Sequence, residues 1–290
     1  MQTIKIKAPA KINLTLDILN KREDGFHNIE SIMQTVSLYD VITITIDENI
    51  KQNRIEISGN NPQIPYDKTN LAYISAEKFL KEANITGYKI NIYLEKYIPV
   101  AAGLAGGSSD AAAVLYGLNK MFNNILESDI IDNLASQMGS DINFCLHGGT
   151  QVASSRGEIL KKIQTPDLNI IIVKPKDIFI SAREAYNKYS ALINKPQYQS
   201  SELMIRAINE NNLVDISKFI HNGLENAILP DYPQLQKIKN ELLKAGCLNT
   251  IMSGSGPSIF GILPDKNKLQ LKFCDCDVFY TETINTGVTA

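Results

Sequence analysis

Ser108, Ser109 and Asp110 stand side by side at the end of a run of small residues, in IPVAAGLAGGSSDAAAVLYGL from Ile98 to Leu118. Glycine at 103, 106 and 107 lets an anion approach bare backbone with no Cβ in the way. A helix opening straight after such a turn adds unpaired N–H groups and partial positive charge. The chemistry this pattern serves is the holding of phosphate, with the two hydroxyls available to phosphate oxygen or to Mg2+. A tight turn required only by the fold is the alternative, and composition alone does not choose between them. Neither common phosphate motif is present. Ser108 follows Gly107 where a Walker A sequence needs lysine, and the G-x-G-x-x-G spacing is absent.

Asp141 is the first candidate for proton chemistry. It follows a helix stop at Gly139 and opens the apolar run Ile142, Phe144, Cys145 and Leu146, so it is expected to enter buried chain, where a carboxylate must be paired. Asp110 is the rival. In the first turn of the helix after the glycines its expected work is capping, because negative charge favours that end. Cys145, Cys247, Cys274 and Cys276 match no zinc spacing, and His27, His147 and His221 are scattered. Free thiols are expected, and no metal ligand set is assigned.

Composition excludes several classes. The 29 Lys and Arg are balanced by 31 Asp and Glu, for a net charge of −2. They are interspersed, so no basic nucleic-acid face is expected and an anionic ligand needs a local site. No apolar run approaches the roughly 20 residues of a membrane span. The opening MQTIKIKAPAKINL lacks a signal-peptide core, which points to the cytoplasm.

These groups must be positioned by a mixed set of elements. Apolar residues occupy every even position from Ile4 to Ile18, while Lys5, Lys7, Lys11, Asn13, Thr15 and Asp17 take odd ones. Period two over that length is a strand, or two with a bend at Pro9. Lys5 and Lys7 read as a solvated face; Lys11 and Asn13 point the same way. A turn on Asp24-Gly25 follows, then strands at VITITID and RIEIS. A helix over Leu71–Ala83 is capped by Thr69 or Asn70, and KINIYLE is a further strand. Helices are expected from about Ser109 to Phe122 and from Glu127 to Met138. DINFCLHGGTQVASS reads as buried chain leading to a strand. Beyond a polar boundary near 154–168 come a continuous apolar strand at NIIIVKP, a helix at SAREAYNKYSAL and a loop from Gln197 to Glu202. Helices near 202–210, 213–222 and 233–245 follow, with a final strand near 277–285. Without strict βαβ alternation this is α+β architecture.

The full string PVAAGLAGGSSDAAA resembles the phosphate-binding signature of the GHMP kinase superfamily, the group of galactokinase, homoserine kinase and mevalonate kinase. APAKINLTLDI, Ala8 to Ile18, is similar to the superfamily's N-terminal motif, and IMSGSGPSIFGIL, Ile251 to Leu263, to its C-terminal glycine-rich motif. PAKINLTLDILNKREDGFHNIESIM and GSDINFCLHGGT narrow the likeness to members that act on a cytidine diphosphate derivative of methylerythritol. The resemblance implies a two-domain α+β fold, with a ribosomal-protein-S5-like N-terminal domain (1–156) and a ferredoxin-like C-terminal domain (157–290). It implies ATP-dependent phosphorylation of a tertiary hydroxyl, with ATP and Mg2+ as cofactors and a small molecule as the partner of a monomer or weak homodimer. Another small-alcohol kinase, such as a homoserine kinase, and a catalytically silent ligand sensor are the alternatives.

By the same resemblance, Lys11 and Asp141 form the catalytic couple, and a structural ion pair at the domain seam is the competing account. Pro99, Val100, Ala101, Ala102, Gly103, Leu104, Ala105, Gly106, Gly107, Ser108 and Ser109 are expected to hold ATP. Asn13 is expected at the substrate hydroxyl, Phe26 and His27 at the cytosine, and Tyr186 at the opposite stacking wall. Many members carry Tyr where this chain has Phe26, which keeps the stack and loses any role of a phenolic hydroxyl. SGSGPS, Ser253 to Ser258, is expected to close over phosphates. The segment after Gly261 is short where members usually place a fuller helix.

Overall fold

The computed structural model describes residues 1–48, 51–196, 201–266, 269, 271 and 273–290. The alternating opening forms β1 (Gln2–Lys21), paired antiparallel with β2 (His27–Glu48). Their register shifts between Pro9 and Lys11, where proline has no N–H for the ladder. β3 (Arg54–Gly59) follows, then α1 (Leu71–Glu82), capped by Asn70, whose side chain accepts from Ala72 N at 2.9 Å. β4 (Tyr88–Glu95) leads to α2 (Gly106–Met121), α3 (Ser128–Met138) and α4 (Ser140–His147), then to β5 (Thr150–Ser155) and β6 (Ile159–Ile163).

The second half holds β7 (Asn169–Pro175), α5 (Ala182–Ser190), α6 (Ser201–Asn209), α7 (Leu213–Phe219) and β8 (His221–Asn222). It continues with α8 (Glu225–Ile228), α9 (Pro233–Lys244), β9 (Asn249–Met252), β10 (Ile259–Leu263) and β11 (Cys276–Glu282). One sheet runs β3-β4-β2-β1-β8, with β5 joined to β2 and β6 to β5; the other runs β11-β7-β10-β9. β6, beyond residue 156, stays on the first sheet, and β8 returns to it beside Thr15 and Leu16.

Burial explains the sequence patterns. Ile6, Ala8 and Ile44 pack with the small residues Ala111–Val114 of α2 in one core. Ile170 and Ile172 of β7 join Ile12 and Leu14 of β1 in a second, while Ile171 and Val173 face α5, α8 and α9 in a third. A strand covered on both faces has no polar alternation, hence the unbroken IIIV.

Several expectations need correction. β2 begins at His27, inside the segment read as turn. α2 starts at Gly106, three residues early, because the two glycines form its first turn and do not precede it. DINFCLH, read as buried chain, is the short helix α4, and the helix expected over 213–222 stops at Phe219 so that His221 and Asn222 can pair with β1. Of the expected loop 197–202, residues 197–200 lie outside the described residues, and Ser201 and Glu202 already belong to α6. The short segment after Gly261 includes residues 267, 268, 270 and 272, also outside them.

Candidate active site

The connection from β4 to α2 takes up left-handed backbone at Ala101 (φ 50°), Gly103 (φ 74°) and Ala105 (φ 57°). Alanine is strained there, and the loop keeps that shape only because its surroundings impose it. Three successive carbonyls of the loop are turned back into the protein. Ala102 O accepts from Ser258 N at 3.4 Å, Gly103 O from Ser253 Oγ at 3.1 Å and Leu104 O from Lys11 N at 3.1 Å. The first N–H groups of α2, with no side-chain cap at Ala105, are left for an anion. Gly103 is needed on a second count: a Cβ there would sit 2.1 Å from Ser253 O. The two glycine-rich loops are therefore in direct contact.

Two cavities meet at this loop. One of about 380 Å³ is lined by Pro99 through Gly107, with Asn70 above them. The other, a cleft of about 790 Å³, holds Lys11, Asn13, Phe26, His27, Ser108, Asp141, Tyr186, Gly254 and Ser255. Gly103 and Ala105 border both. The two serines part company: Ser108 lines the cleft, while Ser109 is fully buried and donates its hydroxyl to Pro9 O at 2.8 Å. Ser109's side chain thus fixes α2 to β1 and has no proton left for a ligand.

Lys11 and Asn13 were read as pointing away from the core. They are 5% and 2% exposed, because the glycine-rich loop before α2 and the Gly254 turn cover that face of β1. Lys11 Nζ donates to Asn13 Oδ1 at 2.7 Å, and Asn13 Nδ2 to Ser31 Oγ at 2.8 Å. Lys11 Nζ lies 3.7 Å from Asp141 Oδ2. Asp141 sits in the first turn of α4 with 32% of its side chain exposed, so it reaches the cleft without being buried. The couple joins residues 130 positions apart through the packing of α2 on both β1 and α4.

At the far end His27 Nε2 meets Ser190 Oγ at 2.9 Å, and its ring stacks on Tyr186 with centroids 5.4 Å apart. Burial, then the charges of Lys21 and Lys195, lowers the pKa of His27, so the ring is neutral at pH 7. Phe26 is exposed in the cleft, with the Arg156 guanidinium 5.4 Å from its centroid. An aromatic pair beside a neutral imidazole can take a flat heterocycle.

The sequence reading missed Asp40, Lys96 and the work of Asp110. Asp110 does not cap α2. It lies one turn in, buried, with its Oδ2 2.5 Å from Lys96 Nζ, which also contacts Asp40. No spacing in the sequence links these three, and Lys96, between Glu95 and Tyr97, carries no local sign of burial. Arg156 and Arg183, which also line the cleft, were missed as well. The four cysteines are free, and among the described residues no group of three or more His, Cys, Asp or Glu could hold a metal. Among the described residues no helix is long and apolar enough to cross a membrane.

Residues 70–149 match the family described as GHMP kinases N terminal domain, and residues 204–274 match GHMP kinases C terminal. The chain is 39% identical to the 4-diphosphocytidyl-2-C-methyl-D-erythritol kinase of Thermoanaerobacter pseudethanolicus, over 99% of each chain. It is 42% identical to that of Caldicellulosiruptor saccharolyticus, over 97% of this chain and 95% of the relative. A crystal structure of 4-(cytidine 5'-diphospho)-2C-methyl-D-erythritol kinase superposes with a TM-score of 0.78 at 26% identity, covering 97% of this chain and 99% of the other. Homoserine kinase from Cytophaga hutchinsonii, at 20% identity and a TM-score of 0.74 over 100% and 97%, shares the fold.

Proposed function

Because the chain belongs to the GHMP kinase family, among its 4-diphosphocytidyl-2-C-methyl-D-erythritol kinases, we propose that its cleft carries out their reaction. It transfers the terminal phosphoryl group of ATP to the 2-hydroxyl of 4-diphosphocytidyl-2-C-methyl-D-erythritol, in non-mevalonate isoprenoid precursor biosynthesis. The observation that carries this reading is the position of the Lys11–Asp141 couple. It borders the same cleft as Ser108 of the phosphate loop and the Phe26, His27 and Tyr186 wall.

Phosphoryl transfer asks for alignment and for neutralised charge, with little covalent work by the protein. The polyphosphate lies on the N–H groups at the start of α2, and the nucleoside of ATP fills the cavity bordered by Pro99–Gly107. The acceptor places its cytosine by Phe26, His27 and Tyr186 and its hydroxyl between Asn13 and Asp141. That oxygen attacks the γ-phosphorus as the bond to the β–γ bridging oxygen breaks, and its proton passes to Asp141. Lys11, held by Asn13, offers positive charge to the transferred group. Bound to the phosphates of ATP, Mg2+ would supply charge neutralisation there, and the Ser108 hydroxyl, which lines the cleft, would be the protein group beside it. The division into a nucleotide domain (1–156) and a second domain (157–290), a cytoplasmic setting and a monomer or weak homodimer are part of the same proposal.

The test is a panel assay of the purified protein with MgATP and several alcohols, among them homoserine and the cytidine diphosphate compound. Transfer to the cytidine compound is expected. Transfer to homoserine alone would reverse the assignment of the acceptor.

A further inference from the structure

Three ionisable side chains, none of them in the transfer couple, meet beneath the phosphate loop. Lys96 Nζ touches Asp40 Oδ2 and lies 2.5 Å from Asp110 Oδ2. No side chain of the three is more than 4% exposed. Asp40 comes from β2, Lys96 from the residue after β4 and Asp110 from α2, so the cluster ties together the elements that carry the loop. Asp40 Oδ1 also accepts from Tyr97 N at 2.6 Å and Ile98 N at 2.8 Å, which pins the loop's first residues.

The count of charges does not balance. One ammonium faces two carboxyl groups. Asp40 has donors on both oxygens, whereas Asp110 Oδ1 is buried and meets no hydrogen-bond partner. A carboxylate held that way keeps a buried negative charge that is only half solvated by the protein. It would also stand one turn inside the helix end that receives a polyphosphate. Asp40 Oδ2 and Asp110 Oδ2 both contact the one Lys96 ammonium, which brings the two carboxyls close together, the arrangement in which a pair can share one proton.

We propose that Asp110 works as a neutral carboxylic acid, sharing its proton with Asp40, and is a positioning residue that braces the phosphate loop without setting negative charge under the nucleotide. This rests on the reading that the start of α2 holds the phosphates of ATP. The electrostatics agree with the geometry. Burial raises the pKa of Asp110, against the pull of Lys96 and with a further push from Asp40, to about 8. Although burial works against it, Lys96 is held above the usual lysine range by Asp110 and Asp40. The remaining titratable neighbour is Cys145 of α4, whose thiol burial pushes up, with Asp141 and Asp110 adding to the rise; it stays neutral throughout. Below pH 8 the cluster is therefore uncharged overall, and above it gains one negative charge.

The experiment is direct binding of a fluorescent ATP analogue, without acceptor, from about pH 6 to about pH 9.5, on wild type, Asp110→Asn and Asp110→Ala. In the wild type Kd is expected to be flat at neutral pH and to rise above pH 8 by up to about tenfold per unit. Asp110→Asn, the shape of the protonated acid, is expected to lack that rise, and Asp110→Ala to bind more weakly at every pH. An alkaline rise that persists in Asp110→Asn overturns the proposal, as does a loss of affinity in that variant at pH 7 while its circular dichroism is native. A second measurement does not depend on the variant or on the ligand. The 13Cγ resonance of wild-type Asp110 should titrate near pH 8, and a carboxylate signal at pH 6 overturns the proposal even if ATP binds elsewhere. If the analogue fails to bind the wild type at any pH, the nucleotide reading has failed and the carbon resonance still decides the protonation.

Discussion

The Lys11 ammonium stands 3.7 Å from the Asp141 carboxylate, near enough to act on its charge and too far to hydrogen-bond to it. Lys11 spends its short contact on Asn13 Oδ1, at 2.7 Å. The Asp141 oxygen that faces Lys11 therefore has no proton of Lys11 to hold and can receive one from an acceptor hydroxyl.

Asp141→Asn should lower kcat by about 10²–10⁴-fold, the range for losing a general base, with nucleotide affinity kept. Steady-state kinetics beside nucleotide binding check this. Near-normal turnover would remove Asp141 from the base role and leave the couple as a structural ion pair.

Phe26→Ala should raise KM for the cytidine compound while KM for ATP stays put, because base stacking on an aromatic ring is worth about 1–3 kcal/mol. That range corresponds to about 5- to 150-fold in KM. Phe26→Tyr preserves the stacking face and should stay close to wild type. Equal losses in KM for both substrates would place the cytosine elsewhere.

Gly103→Ala should weaken both the fold and nucleotide binding. The new Cβ would meet Ser253 O at 2.1 Å, on backbone with φ of 74°, so the two glycine-rich loops must separate. Strain of this kind costs about 1–3 kcal/mol. Calorimetric unfolding should record a lower Tm, and an unchanged one would show that the loops are free to move apart.

The pH response of His27 follows from its depressed pKa. The folded state keeps the ring neutral where the unfolded chain, with its ordinary value of 6.5, begins to protonate. Stability from this group is thus complete above 6.5 and is lost as pH falls through the folded value. Affinity for the cytidine compound should hold down to that pH and weaken only below it. Proton NMR of the His27 ring checks the titration directly, and a midpoint at or above 6.5 would contradict the neutral ring.

Much of the fold was legible in the chain because burial writes a period. β1 shows its core side at every second residue, Asn70 announces α1, and the unbroken IIIV of β7 reports a strand covered on both faces. The small residues before α2 marked the loop that borders both cavities, since only residues that lack bulk leave backbone accessible. Period also misled. Period placed Lys11 and Asn13 on the odd face of β1, away from the core, but both are buried by elements far away in sequence, and no local pattern records that. The sequence by itself therefore determined the elements, the glycine-rich loops and the residue types able to do chemistry. Motif resemblance paired Lys11 with Asp141, and only tertiary structure decided that the pair stands 3.7 Å apart, that Ser109 turns inward, and that Asp110 joins Asp40 and Lys96. The physical reason is that local spacing governs which face a side chain takes, whereas the partner it finds there depends on how separate elements pack, and charge pairs in an interior are made by that packing alone.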